Sequence, residues 1–268
     1  MELEEQIMSE IRKMYGEKGY EGLDNWYSVR NPNVWNNLYL DKYKKQEMYE
    51  ALQASRGLNL FAEKTFEENI NLVKKEMNLP FEGREEFRLD LLATAMEYGS
   101  KNKICVLDEV DTVYELGFRW PRLLKHYQEA GKKVVGYDVV KLNVLIGQHL
   151  GYDCQFHDLS SDEPLFFEEN SLIVAYDVFE HLPDPRKAIK KVYDAMEENS
   201  FFHIEVPTES FNDISLGHFY PFRNGDLRRA IEDFDRGRSR FKILLSNPYT
   251  PQNTVQANVP QSILCTKP

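Results

Sequence analysis

Beyond Lys101 the chain alternates short β-rich runs with stretches at helical spacing, and this alternation is its tightest constraint. The runs are Thr112–Gly117, Lys133–Asp138, Cys154–Asp158, Ser171–Asp177, Phe201–Pro207, Phe241–Leu245 and Gln261–Cys265. Between them, Pro121 to Ala130 has proline in the first turn and Gly131 just past the end, the usual asymmetry of a helix. Lys141 to Leu150 stops at Gly151, and Asp184-Pro185 opens a helix carrying Ile189, Val192, Tyr193 and Met196. Strands that alternate with helices join as a mostly parallel sheet with helices on both faces, a doubly wound α/β fold.

The first hundred residues read differently. Leu3, Ile7, Ile11 and Met14 recur at helical spacing, as do Phe66, Ile70, Val73 and Met77. Thr65 and Glu68 match a capping box for the second of these stripes. Phe87, Leu91 and Ala95 mark a third, ending near Gly99. The stretch between holds Trp26, Tyr27, Trp35, Tyr39, Tyr43 and Tyr49. Most of these aromatics read as core of a helical extension, with Trp26, Trp35 and Tyr39 as candidate lining of a ligand pocket. Residues 1–100 are therefore expected to form a helical cap, and 101–268 the sheet domain.

Composition narrows the function classes. Hydrophobic residues at 42% exclude global disorder, and no apolar run approaches the roughly 20 residues that span a bilayer. MELEEQIMSE offers no basic or apolar leader. Cys105, Cys154 and Cys265 are far apart and read as reduced thiols. The expectation is a cytoplasmic protein. A net charge of −11 argues against nucleic-acid and anionic-membrane partners; a homo-oligomer stays open, and the small-molecule substrate is implied only by the resemblance described below.

In doubly wound sheets, ligands bind at the carboxyl ends of the strands. Glu115-Leu116-Gly117 ends the first strand, where a glycine lets backbone approach a ligand. Asp138 ends the second at a spacing that suits a carboxylate accepting ribose hydroxyls, a device that dinucleotide-binding folds share. Asp158 ends the third, with Asp162 competing for its role, and Asp177 ends the fourth.

Asp177-Val178-Phe179-Glu180-His181-Leu182-Pro183-Asp184-Pro185 resembles the strand-four signature of class I S-adenosylmethionine-dependent methyltransferases, especially their small-molecule branch. Leu165–Leu172 resembles the approach to that strand, and Glu205-Val206-Pro207 the end of strand five. The segment from Gly217-His218 to Leu227, and the closing strand Ser262–Pro268, also look like the family's. The resemblance covers about residues 103–268. It implies a Rossmann-like methyltransferase sheet whose last strand is antiparallel, and S-adenosylmethionine as the methyl donor, with S-adenosylhomocysteine as product. Asp138 would hold the ribose, Asp158 the adenine edge, and Glu115 with Gly117 the methionyl end, with Asp177 beside them.

Two residues compete as the acid of the family's first motif. Glu115 stands at the usual distance from Asp138, whereas Asp108 lies too far upstream. In that frame the family's acid-x-Gly-x-Gly-x-Gly becomes Glu115-Leu116-Gly117-Phe118-Arg119-Trp120-Pro121, with one glycine retained. Arg119 is a candidate for a ligand carboxylate or an anionic substrate, and equally reads as a solvated arginine at a helix start. Among six histidines, His126 and His149 fall in helices and His157 and His203 in strands, and all four read as packing residues. His181 and His218 lie on loops at the carboxyl edge and are the candidate bases, with Glu180 behind them. No histidine or cysteine group has metal-ligand spacing, so no metal is expected. One alternative is a degenerate methyltransferase-like domain that binds or scaffolds, which holds if Trp120 fills the methionine pocket. A nicotinamide-dependent oxidoreductase would also want Asp138, but Gly-x-Gly-x-x-Gly is absent.

Overall fold

The computed structural model describes residues 2–15, 64–82, 85–86, 88–89, 92, 105–209, 218–233, 241–246 and 260–267. Trp26, Tyr27, Trp35, Tyr39, Tyr43, Tyr49, Phe87, Leu91, Ala95, Gly99 and Gly217, all singled out above, lie outside them.

The strands are β1 (Thr112–Leu116), β2 (Lys133–Asp138), β3 (Asp153–Phe156), β4 (Ser171–Tyr176), β5 (Phe201–Val206), β6 (Lys242–Ser246) and β7 (Gln261–Thr266). The helices are α1 (Leu3–Tyr15), α2 (Phe66–Met77), α3 (Arg122–Glu129), α4 (Lys141–His149), α5 (Pro185–Ala195) and α6 (Asp226–Asp233). The sheet order is β3-β2-β1-β4-β5-β7-β6. β1 to β5 are parallel, and β7 runs antiparallel between β5 and β6. β1 pairs with β2 on one side and β4 on the other, so the order reverses there, and the crevice of a doubly wound sheet opens at such a point.

Burial explains the texture of the strands. β1 and β5 are buried along their whole length, as a sheet covered on both faces requires. Side chains alternate between the faces. Tyr114, Leu116, Ile173, Ala175, Phe202 and Ile204 pack with Ile189 and Val192 of α5 and Ile231 of α6. Val113, Leu172 and Val174 pack with Leu124 and Tyr127 of α3 and Val144 of α4. The N-terminal stripes form a third cluster, in which Ile7, Ile11, Ile70 and Val73 meet Leu142, Leu145 and Ile146 on α4. Each such fully buried aliphatic side chain stabilises by about 2 kcal/mol, which holds α1 and α2 against the sheet domain.

The helix signals are realised. Thr65 and Glu68 form the reciprocal capping box of α2. Asp184 caps α5 by accepting from the Lys187 amide at 3.1 Å, with Pro185 in the first turn. Two boundaries differ from expectation: β3 ends at Phe156, before Asp158, and Met196 is the C-cap of α5. Val106–Asp108 is a 3-10 turn rather than a strand end, which leaves Glu115 as the acid at the end of β1. No helix among the described residues is long and apolar enough to cross a membrane.

Two glycines make room for the loop after β1. A Cβ on Gly136 would lie 2.7 Å from Phe118 Cδ1, and one on Gly147 would lie 2.4 Å from Cys154 Sγ and 3.4 Å from Phe118 Cε2. Phe118 is buried in this space, and it anchors the loop from beneath.

Candidate functional site

The loop after β1 keeps the backbone of a glycine-rich turn with fewer glycines. Gly117 has φ +73, is solvent-exposed, and could not carry a Cβ, which would fall 2.5 Å from Val178 Cγ2. Arg119 occupies the position of the family's second glycine and adopts φ +49, a conformation that costs a side-chain-bearing residue about 1 kcal/mol or more. Trp120 packs, partly buried, on the cluster formed by α1, α2 and α4. Pro121, at the third glycine's position, is the N-cap of α3.

The loop is tied to the end of β2. Asp138 Oδ2 accepts from the Arg119 amide at 2.9 Å and from Asn143 Nδ2 at 3.1 Å, and Oδ1 accepts from the Val140 amide at 2.7 Å. Burial raises the Asp138 pKa, and the donated bonds work against that rise. Asp138 is itself only 5% exposed, and the Val139 backbone joins these donors in opposing the rise. Glu115 points to the α3 and α4 face and is buried. Its pKa is pushed well up by desolvation and then by the charge of Asp138, against a bond from the Leu124 backbone. Its place is beneath the start of α3, as a brace. Asp158 follows the end of β3 and accepts from the Ser160 amide and hydroxyl at 3.0 and 2.7 Å. Its competitor Asp162 pairs with Lys187 at 2.6 Å and is almost fully exposed.

At the end of β4, Asp177 also takes a left-handed conformation, with φ +56, and its amide donates to the Glu205 carbonyl on β5. Its carboxylate lies 2.9 Å from Arg88 Nη2. The same guanidinium donates to Glu205 Oε1 from Nε at 2.9 Å and from Nη2 at 2.6 Å, and lies over the Tyr176 ring at 4.3 Å. Arg88 thus reaches from the N-terminal part of the chain to the carboxyl ends of two strands. It was not among the residues singled out above; its signal is an arginine beside the apolar stripe of Phe87 and Leu91.

Just beyond Asp177, Phe179–His181 forms a 3-10 turn. The Glu180 carbonyl accepts from the Phe219 and Tyr220 amides at 2.8 and 3.0 Å, which brings the segment carrying His218 against this turn. The His181 and His218 rings meet edge to face at 4.8 Å. One candidate ligand atom from each of Glu180, His181 and His218 lies within 4.8 Å of the others. His218 Nδ1 is 2.8 Å from Glu209 Oε1, a buried carboxylate that sequence reasoning missed because nothing local links it to His218. The remaining histidines pack: His126 against Phe81, His149 against Phe66, His157 beside Lys191, and His203 between Tyr176 and Ser262.

A switch-point loop bound to a strand-end carboxylate leaves exposed backbone for a ligand, and two imidazoles beside a carboxylate in the segments after β4 and β5 are groups that can take a proton. A family model described as a methyltransferase domain matches residues 84–241, well over half of the chain. Among solved structures, the [4+2]-cyclase SpnF aligns with a TM-score of 0.51 at 12% identity, over 72% of this chain and 85% of its own. An S-adenosylmethionine-dependent methyltransferase from Mesorhizobium loti gives 0.46 at 13% identity, over 60% and 94%. A TehB-like one from Corynebacterium glutamicum gives 0.45 at 17%, over 61% and 85%. No curated protein matches the sequence. The likeness to SpnF is one of fold, and fold alone does not fix the reaction.

Proposed function

The chain belongs to the methyltransferase-domain family, and from that premise we propose that it moves the methyl group of S-adenosylmethionine onto an O, N or C atom of a small molecule, a sugar or natural-product intermediate among the candidates. The observation that carries this reading is the loop after β1. Gly117 and Arg119 hold the left-handed turn and are exposed, the Gly117 amide donating to the Tyr137 carbonyl and the Arg119 amide to Asp138, while Trp120 packs away on the cluster of α1, α2 and α4. That placement of Trp120 favours an enzyme over a degenerate scaffold.

The residues fit the donor's parts. In this reading the methionyl end is assigned to the Gly117 backbone, the ribose to Asp138 and the adenine edge to Asp158. Glu115 supports the methionyl end indirectly, by bracing the start of α3, and Asp177 flanks the loop. Arg119 is offered to a carboxylate. The sulfonium methyl is already activated when the donor is bound, so the chain's task is alignment, and orientation supplies much of the rate. An O or N acceptor meets the Glu180, His181 and His218 cluster, which accounts for its proton; Glu209 orients His218. Residues 1–100 act as a helical extension to the 101–268 domain, and Arg88 carries that extension into the strand ends.

Calorimetric titration of the full chain with S-adenosylmethionine and S-adenosylhomocysteine tests this. Binding of both, weakened at least tenfold in Asp138→Ala, is the expected result. No heat from folded wild-type protein returns the scaffold reading.

A further inference from the structure

We propose that Glu180, His181 and His218 hold one divalent first-row transition ion, to which an acceptor hydroxyl would bind. This rests on reading the cluster as the acceptor site.

Three observations carry it. First, the ligand atoms of the three side chains lie within 4.8 Å of one another. Bonds of about 2.0–2.2 Å place donors about 3.3 Å apart around a tetrahedral ion, so each side chain draws in by roughly 1 Å. Second, the cluster is held by structure rather than by loose loops, because the Glu180 carbonyl takes two amides from the segment bearing His218. Third, His218 Nδ1 is bonded to Glu209 at 2.8 Å, with both side chains largely buried. That bond fixes the tautomer and leaves Nε2 for a ligand, the carboxylate–histidine arrangement that supports metal-ligating imidazoles. The expectation of no metal came from local spacing, and this set is assembled across the fold from two distant segments.

The donors choose the ion. Two imidazoles and one carboxylate suit zinc, cobalt, iron or manganese, whereas magnesium and calcium call for oxygen ligands. Three protein ligands leave coordination positions open, and an acceptor hydroxyl can occupy one. A bound hydroxyl loses its proton to water at a lower pH than a free one. Its oxygen then forms the O–C bond to the methyl carbon while the C–S bond breaks, and the bonding pair returns to sulfur as the thioether.

The test is metal binding itself. Metal-stripped full-length protein is titrated with Co2+ and Zn2+ by calorimetry, with visible absorption reporting cobalt coordination. The expected result is one equivalent bound, loss of the cobalt spectrum in His218→Asn, and an affinity about 10–100-fold weaker in Glu209→Gln. Circular dichroism verifies that both variants fold. Glu209→Gln keeps all three ligands, so its weakened affinity reports orientation and not ligand loss. Wild-type uptake no greater than that of His218→Asn, or a Glu209→Gln affinity equal to wild type, overturns the proposal. S-adenosylmethionine titration in chelator separates the two readings. Donor binding without metal uptake leaves the proton-taking cluster and removes the ion; metal uptake without donor binding keeps the ion and removes methyl transfer.

Discussion

His203 ties the stability of the fold to pH in a way that can be worked out in advance. It lies inside β5, fully buried, with one ring nitrogen 2.7 Å from the Tyr176 hydroxyl and the other 2.8 Å from Ser262 Oγ. Burial, and then the charge of Arg88, push its pKa down to about 3. In the unfolded chain an imidazole titrates near 6.5. Between these values the unfolded state holds a proton that the folded state lacks, so stability falls as pH falls, by up to about 1.4 kcal/mol per pH unit. Moving from pH 7.5 to pH 5.0 crosses about 1.5 units of that window and removes on the order of 2 kcal/mol. Glu115 and Asp138 act in the opposite sense. Their raised pKa values make the folded state the better proton binder above the ordinary carboxylate range, so acidification through that range adds stability. The comparison must therefore isolate the histidine. His203→Gln keeps hydrogen-bonding capacity and cannot titrate. Urea unfolding of both proteins at the two pH values gives four free energies, in which the carboxylate terms cancel. The wild type is expected to lose about 2 kcal/mol more than the variant over this interval. Equal losses would show that His203 does not differ in protonation between the two states, and would refute the reasoning.

Two further predictions concern the backbone around the site. Arg119→Gly relieves a left-handed cost of about 1 kcal/mol and returns about 0.5–1 kcal/mol of unfolded-state freedom, so stability should hardly change in urea unfolding. Arg119→Val should be less stable than the glycine variant by more than about 1 kcal/mol, and equality of the two would deny the left-handed turn. Asp184→Ala removes the cap on the Lys187 amide and should cost about 1 kcal/mol, read as a fall in Tm of roughly 2–4 °C.

The parts of this protein that were legible in its sequence are those written locally. Strand and helix identity follows from apolar spacing, and Thr65 and Asp184 announce helix starts within three residues. The strand-end places of Asp138 and Asp177 were legible because strand ends can be read from alternation and turn residues, and Glu115 was chosen over Asp108 by its distance from Asp138. The illegible parts depend on contact between distant segments. Arg88 meets Glu205 and Asp177 across the sheet, and Glu209 meets His218 across a loop. The left-handed conformation of Arg119 runs against its residue type, and the sequence shows only that one glycine of the motif is retained; the anchoring of Phe118 and the bond to Asp138 hold the turn. His181 and His218 were chosen separately, as loop residues on one edge, and the structure sets their rings against each other.

The bed that Gly136 and Gly147 provide for Phe118 has a consequence for anyone who tries to improve this protein. Gly147 is interior to α4, where a propensity table ranks alanine above glycine by about 1 kcal/mol and marks the position for replacement. The added methyl would collide with the Cys154 side chain and press toward the Phe118 ring, and overpacking a buried site costs typically about 1–3 kcal/mol. The sign of the substitution therefore reverses. Because Phe118 carries the loop after β1 on its back, the damage would surface as a displaced loop, far from the helix that was meant to benefit.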